Sequence, residues 1–259
     1  MRRAPPALDA HAHVEPTIAP RELVALDAVV FAVTRSPEEW TAASERQDPT
    51  AVWGIGCHPK IVAAHESFEV DDFAESLSRF ALVGEVGLDG RSPVPMDQQR
   101  TTFGAILDVL ANRPRVVTIH SSGASAAVLE LLRHHPVRGA VLHWWRGTRA
   151  QTEAALELGC FFSFNGAEAR APKTMNAVPH DRVLTETDFP HSRRNDPSAD
   201  RPGAVATTEA ALARQWNTTA DEVRRRVWRN LRALIDTTES ADLLPVDLQV
   251  ALLSGRATR

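Results

Sequence analysis

Two histidines separated by a single residue, His11 and His13 in Asp9-Ala10-His11-Ala12-His13, close a short apolar run near the start of the chain. If that run is a strand, side chains alternate along it with period two and both imidazoles face the same side. Four more candidate ligands stand where other apolar runs stop. These are Glu85 in Gly84-Glu85-Val86-Gly87-Leu88-Asp89, His120, His143, and Asp188 in Glu186-Thr187-Asp188. Four neutral imidazoles and two carboxylates supply enough donors for two divalent cations sharing a bridging group. Taken singly, a histidine after an apolar strand is more often a hydrogen-bonded core residue than a ligand. Structural needs do not, however, end five separate runs in potential ligands. A cation pair acidifies water and offsets charge growing on a phosphoryl or carbonyl oxygen, and Asp188 is the best candidate to take the water's proton.

Residues so far apart in sequence meet only if the fold brings strand ends together. Short β-branched or apolar runs recur at Leu8–Val14, Ala28–Val33, Ala51–Cys57, Ala81–Val86, Val116–His120, Gly139–His143, Cys160–Phe164 and Arg182–Thr185, which makes eight candidate strands. Helix-start chemistry lies between them: Ser36-Pro37 with Glu39, and Thr148 with Gln151, both read as capping boxes. Phe103, Ile106, Leu107 and Leu110 form one apolar stripe at helical spacing, and a late helix opening at Thr219 turns Val223, Val227, Leu231 and Leu234 inward. Regular β–α alternation implies a parallel sheet covered by helices, and eight strands favour an α/β (β/α)8 TIM barrel, with all strand ends on one rim. We expect one domain over residues 1–259, with the barrel core at about 8–235 and a tail at 240–259. The Arg193–Gly203 segment reads as a long loop beside the site.

Bulk properties narrow the function classes. A chain of 259 residues that is 43% hydrophobic can bury a full barrel core. A net charge of −4 gives no global attraction to phosphodiester backbones, so a general duplex-binding protein is disfavoured and any nucleic acid must be drawn by a local site. No apolar run approaches the roughly 20 residues that span a bilayer. Cys57 and Cys160 show no metal-knuckle or disulfide spacing, which fits a reducing compartment, and the expected location is the cytoplasm.

The segments Asp9–His13, Gly54-Ile55-Gly56-Cys57-His58-Pro59, Gly84–Asp89, Thr118-Ile119-His120-Ser121, His143-Trp144-Trp145-Arg146-Gly147 and Leu184-Thr185-Glu186-Thr187-Asp188-Phe189-Pro190 resemble, in order and spacing, the TatD-type metal-dependent hydrolases. The resemblance runs from residue 8 to about 235. It implies that His11, His13 and Asp188 hold one metal, that His120 and His143 hold a second, and that Glu85 bridges them. It also implies DNase or related phosphodiesterase activity, with His58 touching a substrate phosphate. Lysine usage agrees on the bridge: Lys60 and Lys173 are the only lysines, and neither ends a strand where a carbamylated bridging lysine would have to sit.

Family members usually follow the sixth-strand histidine with an aromatic and then Ser-Gly, whereas Arg146 stands here in the serine position. The Thr34-to-Trp40 region, Gly90-Arg91 and the Trp144-Trp145 pair resemble a QatD-like subgroup associated with phage-defence operons, which implies protein partners in a defence complex. Arg146, Arg91 and His58 could grip phosphate oxygens, and Trp144 could stack a base, with one tryptophan of the pair packed in the barrel wall. The Arg224–Arg226 run with Arg229 and Arg232 reads as a solvated helix face rather than a basic patch. Asp9, Glu186 and Asp89 are expected to orient ligand imidazoles by accepting their N–H groups. The expected function is hydrolysis at single-stranded or end-bound DNA; the alternatives are amide, ester or lactone hydrolysis, and a metal-binding subunit of a defence complex. Histidine-rich ligation suits zinc or manganese, and the resemblance also allows magnesium.

Overall fold

The computed structural model describes residues 4–168 and 173–254. Eight strands form one parallel sheet in sequence order: β1 (Ala7–His13), β2 (Ala28–Val33), β3 (Ala51–Ile55), β4 (Leu82–Gly87), β5 (Val116–His120), β6 (Ala140–Leu142), β7 (Phe161–Phe164) and β8 (Val183–Thr185). The ring closes where the chain leaving β8 meets β1, with Asp188 N–H donating to His11 O (2.9 Å) and Phe189 O accepting from His13 N–H (2.8 Å). The helices are α1 (Pro20–Val24), α2 (Pro37–Ser44), α3 (Val62–Glu66), α4 (Val70–Ser76), α5 (Met96–Asn112), α6 (Ser125–His134), α7 (Arg149–Glu157), α8 (Ala206–Gln215), α9 (Ala220–Thr238) and α10 (Val246–Ser254). The expected (β/α)8 barrel is therefore present.

The predicted helical stripes face inward as patterned: Phe103, Ile106, Leu107 and Leu110 on α5, and Val223, Val227, Leu231 and Leu234 on α9, are all buried. At α7 the Thr148–Gln151 box is reciprocal, each residue's backbone N–H donating to the other's side chain. At α2 only half of the expected box forms. Ser36 Oγ accepts from Glu39 N–H, but the Glu39 carboxylate turns back to the Arg35 backbone and guanidinium, a charged partner that outcompetes the cap. The tail does not fray within the described residues; Leu244, Leu248 and Leu252 pack into the core. Arg224, Arg225, Arg229 and Arg232 are each paired with a carboxylate, so they do not form a bare basic patch, but only Arg229 is well exposed and Arg224 is held by the buried Glu209.

Two strands depart from strict alternation, and both carry candidate ligands. The β1–β2 register slips between Asp9 and Ala12, and the β4–β5 register slips between Val83 and Val86, so each strand holds one extra residue beside His11 or Glu85. Such bulges re-aim side chains. Gly84 makes the second one sterically feasible: its φ is +154°, and a Cβ there would lie 2.1 Å from Thr118 Cγ2.

Candidate metal centre

Both oxygens of the buried Glu85 carboxylate face histidines, from opposite sides. Oε2 lies 3.0 Å from His13 Nε2 and 3.6 Å from His11 Nε2, while Asp188 Oδ1 lies 3.6 Å and 3.7 Å from the same two nitrogens. Oε1 lies 2.6 Å from His120 Nδ1 and 3.0 Å from His143 Nε2, which are themselves 3.3 Å apart. Donors about 2.1 Å from a tetrahedral cation sit roughly 3.4 Å from one another, which the first group approaches, while in the second the Glu85 Oε1 contacts to His120 and His143 are hydrogen bonds that a cation would replace. The buried His11 Nε2 and Glu85 Oε2 have no hydrogen-bond partner among the described residues, which is costly unless something cationic satisfies them. The donor set therefore fits divalent cations. Without them, the centre is an unusual concentration of buried charge. Burial raises the Glu85 pKa, but His58, His143 and His120 outweigh it and hold the carboxyl well below its ordinary range. Asp188 goes the other way, pushed well above the ordinary carboxyl range by burial and by the nearby Glu85, Glu186 and Asp9. His120 rises to about 9 because Glu85 and Asp89 overcome its burial.

The surrounding groups orient the imidazoles. His11 Nδ1 is 2.7 Å from Thr118 Oγ1, leaving Nε2 for the centre, and His120 Nε2 is 2.8 Å from Asp89 Oδ2, leaving Nδ1. Asp89 thus acts as expected. Asp9 does not: it touches no imidazole nitrogen, and instead accepts from the backbone N–H groups of His11, Thr187 and Gly203 and from the Thr187 hydroxyl. Its role is to knit the bulged β1 to the loop after β8. Glu186 likewise spends its oxygens on Trp144 N–H, Ser163 Oγ and Asn165 Nδ2, with His143 Nδ1 3.9 Å away. Thr118 was within reach of sequence reasoning, since it lies two residues before His120 on β5 and shares its face.

The centre forms the floor of a cleft of about 1160 Å³, whose wall includes Arg35, His58, Lys60, Arg91, Trp144, Arg146 and His191. His58 accepts the Lys60 backbone N–H at Nδ1 (3.1 Å), so its Nε2 carries the proton and faces Glu85 Oε2 at 3.3 Å. Arg91 is exposed at the mouth. Arg146 lines the cleft with its Nε 3.0 Å from Glu168 Oε1. Trp144 lines the cleft, whereas Trp145 is fully buried in the barrel wall. His191, which sequence reasoning missed, stacks edge-on against His13 with ring centroids 4.7 Å apart, and burial lowers its pKa to about 4.

The sequence profile of the TatD-related DNases matches residues 8–236. A protein named 3'-5' ssDNA/RNA exonuclease TatD from Edwardsiella piscicida is 33% identical over 172 residues, 58% of this chain and 66% of its own length, just under two thirds. A relative of the same name from Pantoea vagans is 30% identical over 70% of this chain and 79% of its own length. Among solved structures, the TatD homologue YjjV of Escherichia coli K12 superposes with a TM-score of 0.78 at 21% identity, covering 88% of this chain and 97% of YjjV. A TatD-family hydrolase from Entamoeba histolytica gives 0.71 at 13% identity, covering 90% and 99%. At those identities the superpositions speak to the barrel alone, but the profile spans nearly the whole of it and every strand that ends in a candidate ligand: the chain belongs to the TatD-related DNase family.

Proposed function

We propose that this protein is a divalent-metal-dependent phosphodiesterase that hydrolyses single-stranded nucleic acid from an end, with His11, His13 and Asp188 holding one cation, His120 and His143 a second, and Glu85 bridging. The observation that carries this reading is the Glu85 carboxylate, whose two oxygens each face a separate set of imidazoles at ligand spacing. Cations bound there would supply the charge that acidifies a water and offsets negative charge growing on a phosphoryl oxygen. Histidine-rich donors favour zinc or manganese over magnesium.

The chain's own groups do the rest. Asp188, whose Oδ1 lies 3.6–3.7 Å from the His13 and His11 Nε2 atoms, is placed to receive the proton of the attacking water at its carboxylate. His58, fixed with its proton on Nε2, donates to a nonbridging phosphate oxygen. Arg91 stands exposed at the mouth, and Arg35, Lys60 and Arg146 line the same wall although each already faces a carboxylate (Glu39, Asp89 and Glu168), so a polyanion meets cationic groups before the floor. That wall favours phosphodiesters over the amide, ester or lactone substrates that the same centre could polarise. The relatives named as ssDNA/RNA exonucleases support the same choice. The segments that resemble the phage-defence subgroup contribute Arg35, Arg91 and Trp144 to this one cleft, which supports a specialised substrate.

The test is metal analysis of purified protein, followed by incubation with end-labelled single-stranded and duplex oligonucleotides beside a panel of carbonyl esters, amides and lactones. Stepwise shortening of the single strand is the expected result. Hydrolysis of the carbonyl panel alone overturns the assignment.

A further inference from the structure

Glu168 lies outside every motif of the centre, in the loop that follows β7, yet it is buried and its Oε1 holds two cleft residues at once. The Trp144 indole Nε1–H donates to it at 3.1 Å, and Arg146 Nε lies 3.0 Å from the same oxygen. Trp144 is gripped at its other end too. It follows His143 directly, turns at φ +39°, and donates its backbone N–H to Glu186 Oε1 at 2.9 Å. Asn165 closes the circuit: its Nδ2 donates to the same Glu186 oxygen (3.3 Å), its Oδ1 accepts from Ala167 N–H (3.1 Å), and its carbonyl accepts from Glu168 N–H (3.1 Å). The turn is also locked from behind, since a Cβ on Gly166 would lie 1.9 Å from the Asp196 carboxylate.

We propose that Glu168 is a positioning residue that fixes the Trp144 ring and the Arg146 guanidinium as a paired subsite for the nucleotide next to the scissile one, its base stacked on Trp144 and its phosphate held by the Arg146 Nη groups. This rests on the phosphodiesterase reading for its ligand class. The chemistry follows from which atoms are spent. Trp144 uses its indole N–H on Glu168, so its face is what it offers the cleft, and an aromatic face recognises any base without regard to sequence. Arg146 pairs its Nε with Glu168 at 3.0 Å while its side chain is 71% exposed, which leaves the two Nη groups to meet an anion. A carboxylate beside a phosphate-binding arginine opposes anion binding, so what the buried Glu168 contributes through its contacts to Trp144 and Arg146 is orientation.

The experiment measures anisotropy of a fluorescein-labelled dT10 on metal-free protein in EDTA, where no cleavage occurs, and then KM and kcat on the same strand with metal restored. Glu168→Ala is expected to weaken dT10 binding about tenfold and to raise KM by a similar factor, with kcat falling less than twofold. Glu168→Gln keeps an acceptor for the indole N–H and removes the opposing charge, so it should bind dT10 at least as tightly as the parent. Trp144→Ala covers the case in which Glu168→Ala fails to fold, and should lose the same tenfold. Unchanged dT10 affinity in whichever of the two alanine variants folds, or equal losses in Glu168→Gln and Glu168→Ala, overturns the subsite. Parent protein that binds dT10 through Trp144 but never hydrolyses it refutes the phosphodiesterase reading and upholds the subsite; parent protein that cleaves dT10 without any dependence on Trp144 or Glu168 does the reverse.

Discussion

Thr118→Val removes one hydroxyl at nearly constant shape and tests whether the centre is oriented from behind. Thr118 is 1% exposed, and its Oγ1 lies 2.7 Å from His11 Nδ1. For His11 Nε2 to present a lone pair to a cation, Nδ1 must carry the ring proton and donate it to that hydroxyl. Valine leaves the Nδ1–H buried with no acceptor, at a cost of about 1–3 kcal/mol. The ring can escape that cost only by moving its proton to Nε2, the tautomer that cannot ligate. Removing such an orienting partner typically lowers metal affinity by about 10–100-fold. Competition with a chromogenic chelator measures zinc affinity directly, and thermal melts with and without metal separate a lost ligand geometry from a general loss of stability. We expect Thr118→Val to lose affinity in that range and Thr118→Ser to keep it. Parental zinc affinity in Thr118→Val refutes the orientation argument, however the variant melts.

Three further outcomes follow from other parts of the centre and its scaffold. Asp188→Asn, assayed with its metal content verified, should lose about 10²–10⁴-fold in turnover with a smaller change in KM, as expected for deletion of a general base; full turnover in a metal-loaded variant removes that role. Gly84→Ala should destabilise the fold by about 2–4 kcal/mol, through strain at a positive φ and overlap with Thr118, and should abolish metal uptake; a urea midpoint within error of the parent contradicts the steric account of the bulge. Buried His65, hydrogen-bonded to Thr102, has its pKa held below the ordinary 6.5 by burial. The unfolded chain therefore takes up this proton first, so stability is retained above about pH 6.5 and declines as the pH falls below it. Urea melts at pH 7.5 and 5.5 should show a shallower pH dependence in His65→Asn than in the parent, and identical slopes exclude the effect.

Much of this was legible in the chain because barrel strands are short, β-branched and punctuated. Ala28–Val33 and Val116–His120 are strands to the residue, and the other runs differ from the observed strands by no more than two residues at an end. The ligand candidates converge because parallel strands of a closed barrel end on one rim, which is a property of topology rather than of any one segment. The bulges at Asp9–Ala12 and Val83–Val86 were invisible to a period-two argument. His11 and His13 do meet Glu85, but through two irregular strands, and Gly84 was a local signal for the second of them alone. Asp9 was misassigned for a related reason: adjacency to a ligand in sequence says nothing about which hydrogen-bond donors the closing loop delivers. The pairing of Arg146 with Glu168 joins two loops on different strands, and no spacing rule links them.

Crystals grown with zinc or manganese and measured at that metal's absorption edge would show whether two cations share Glu85. Two anomalous peaks are expected to flank the Glu85 carboxylate, one among His11, His13 and Asp188 and the other between His120 and His143. A single peak remote from Glu85, or none at full metal loading, contradicts that sharing.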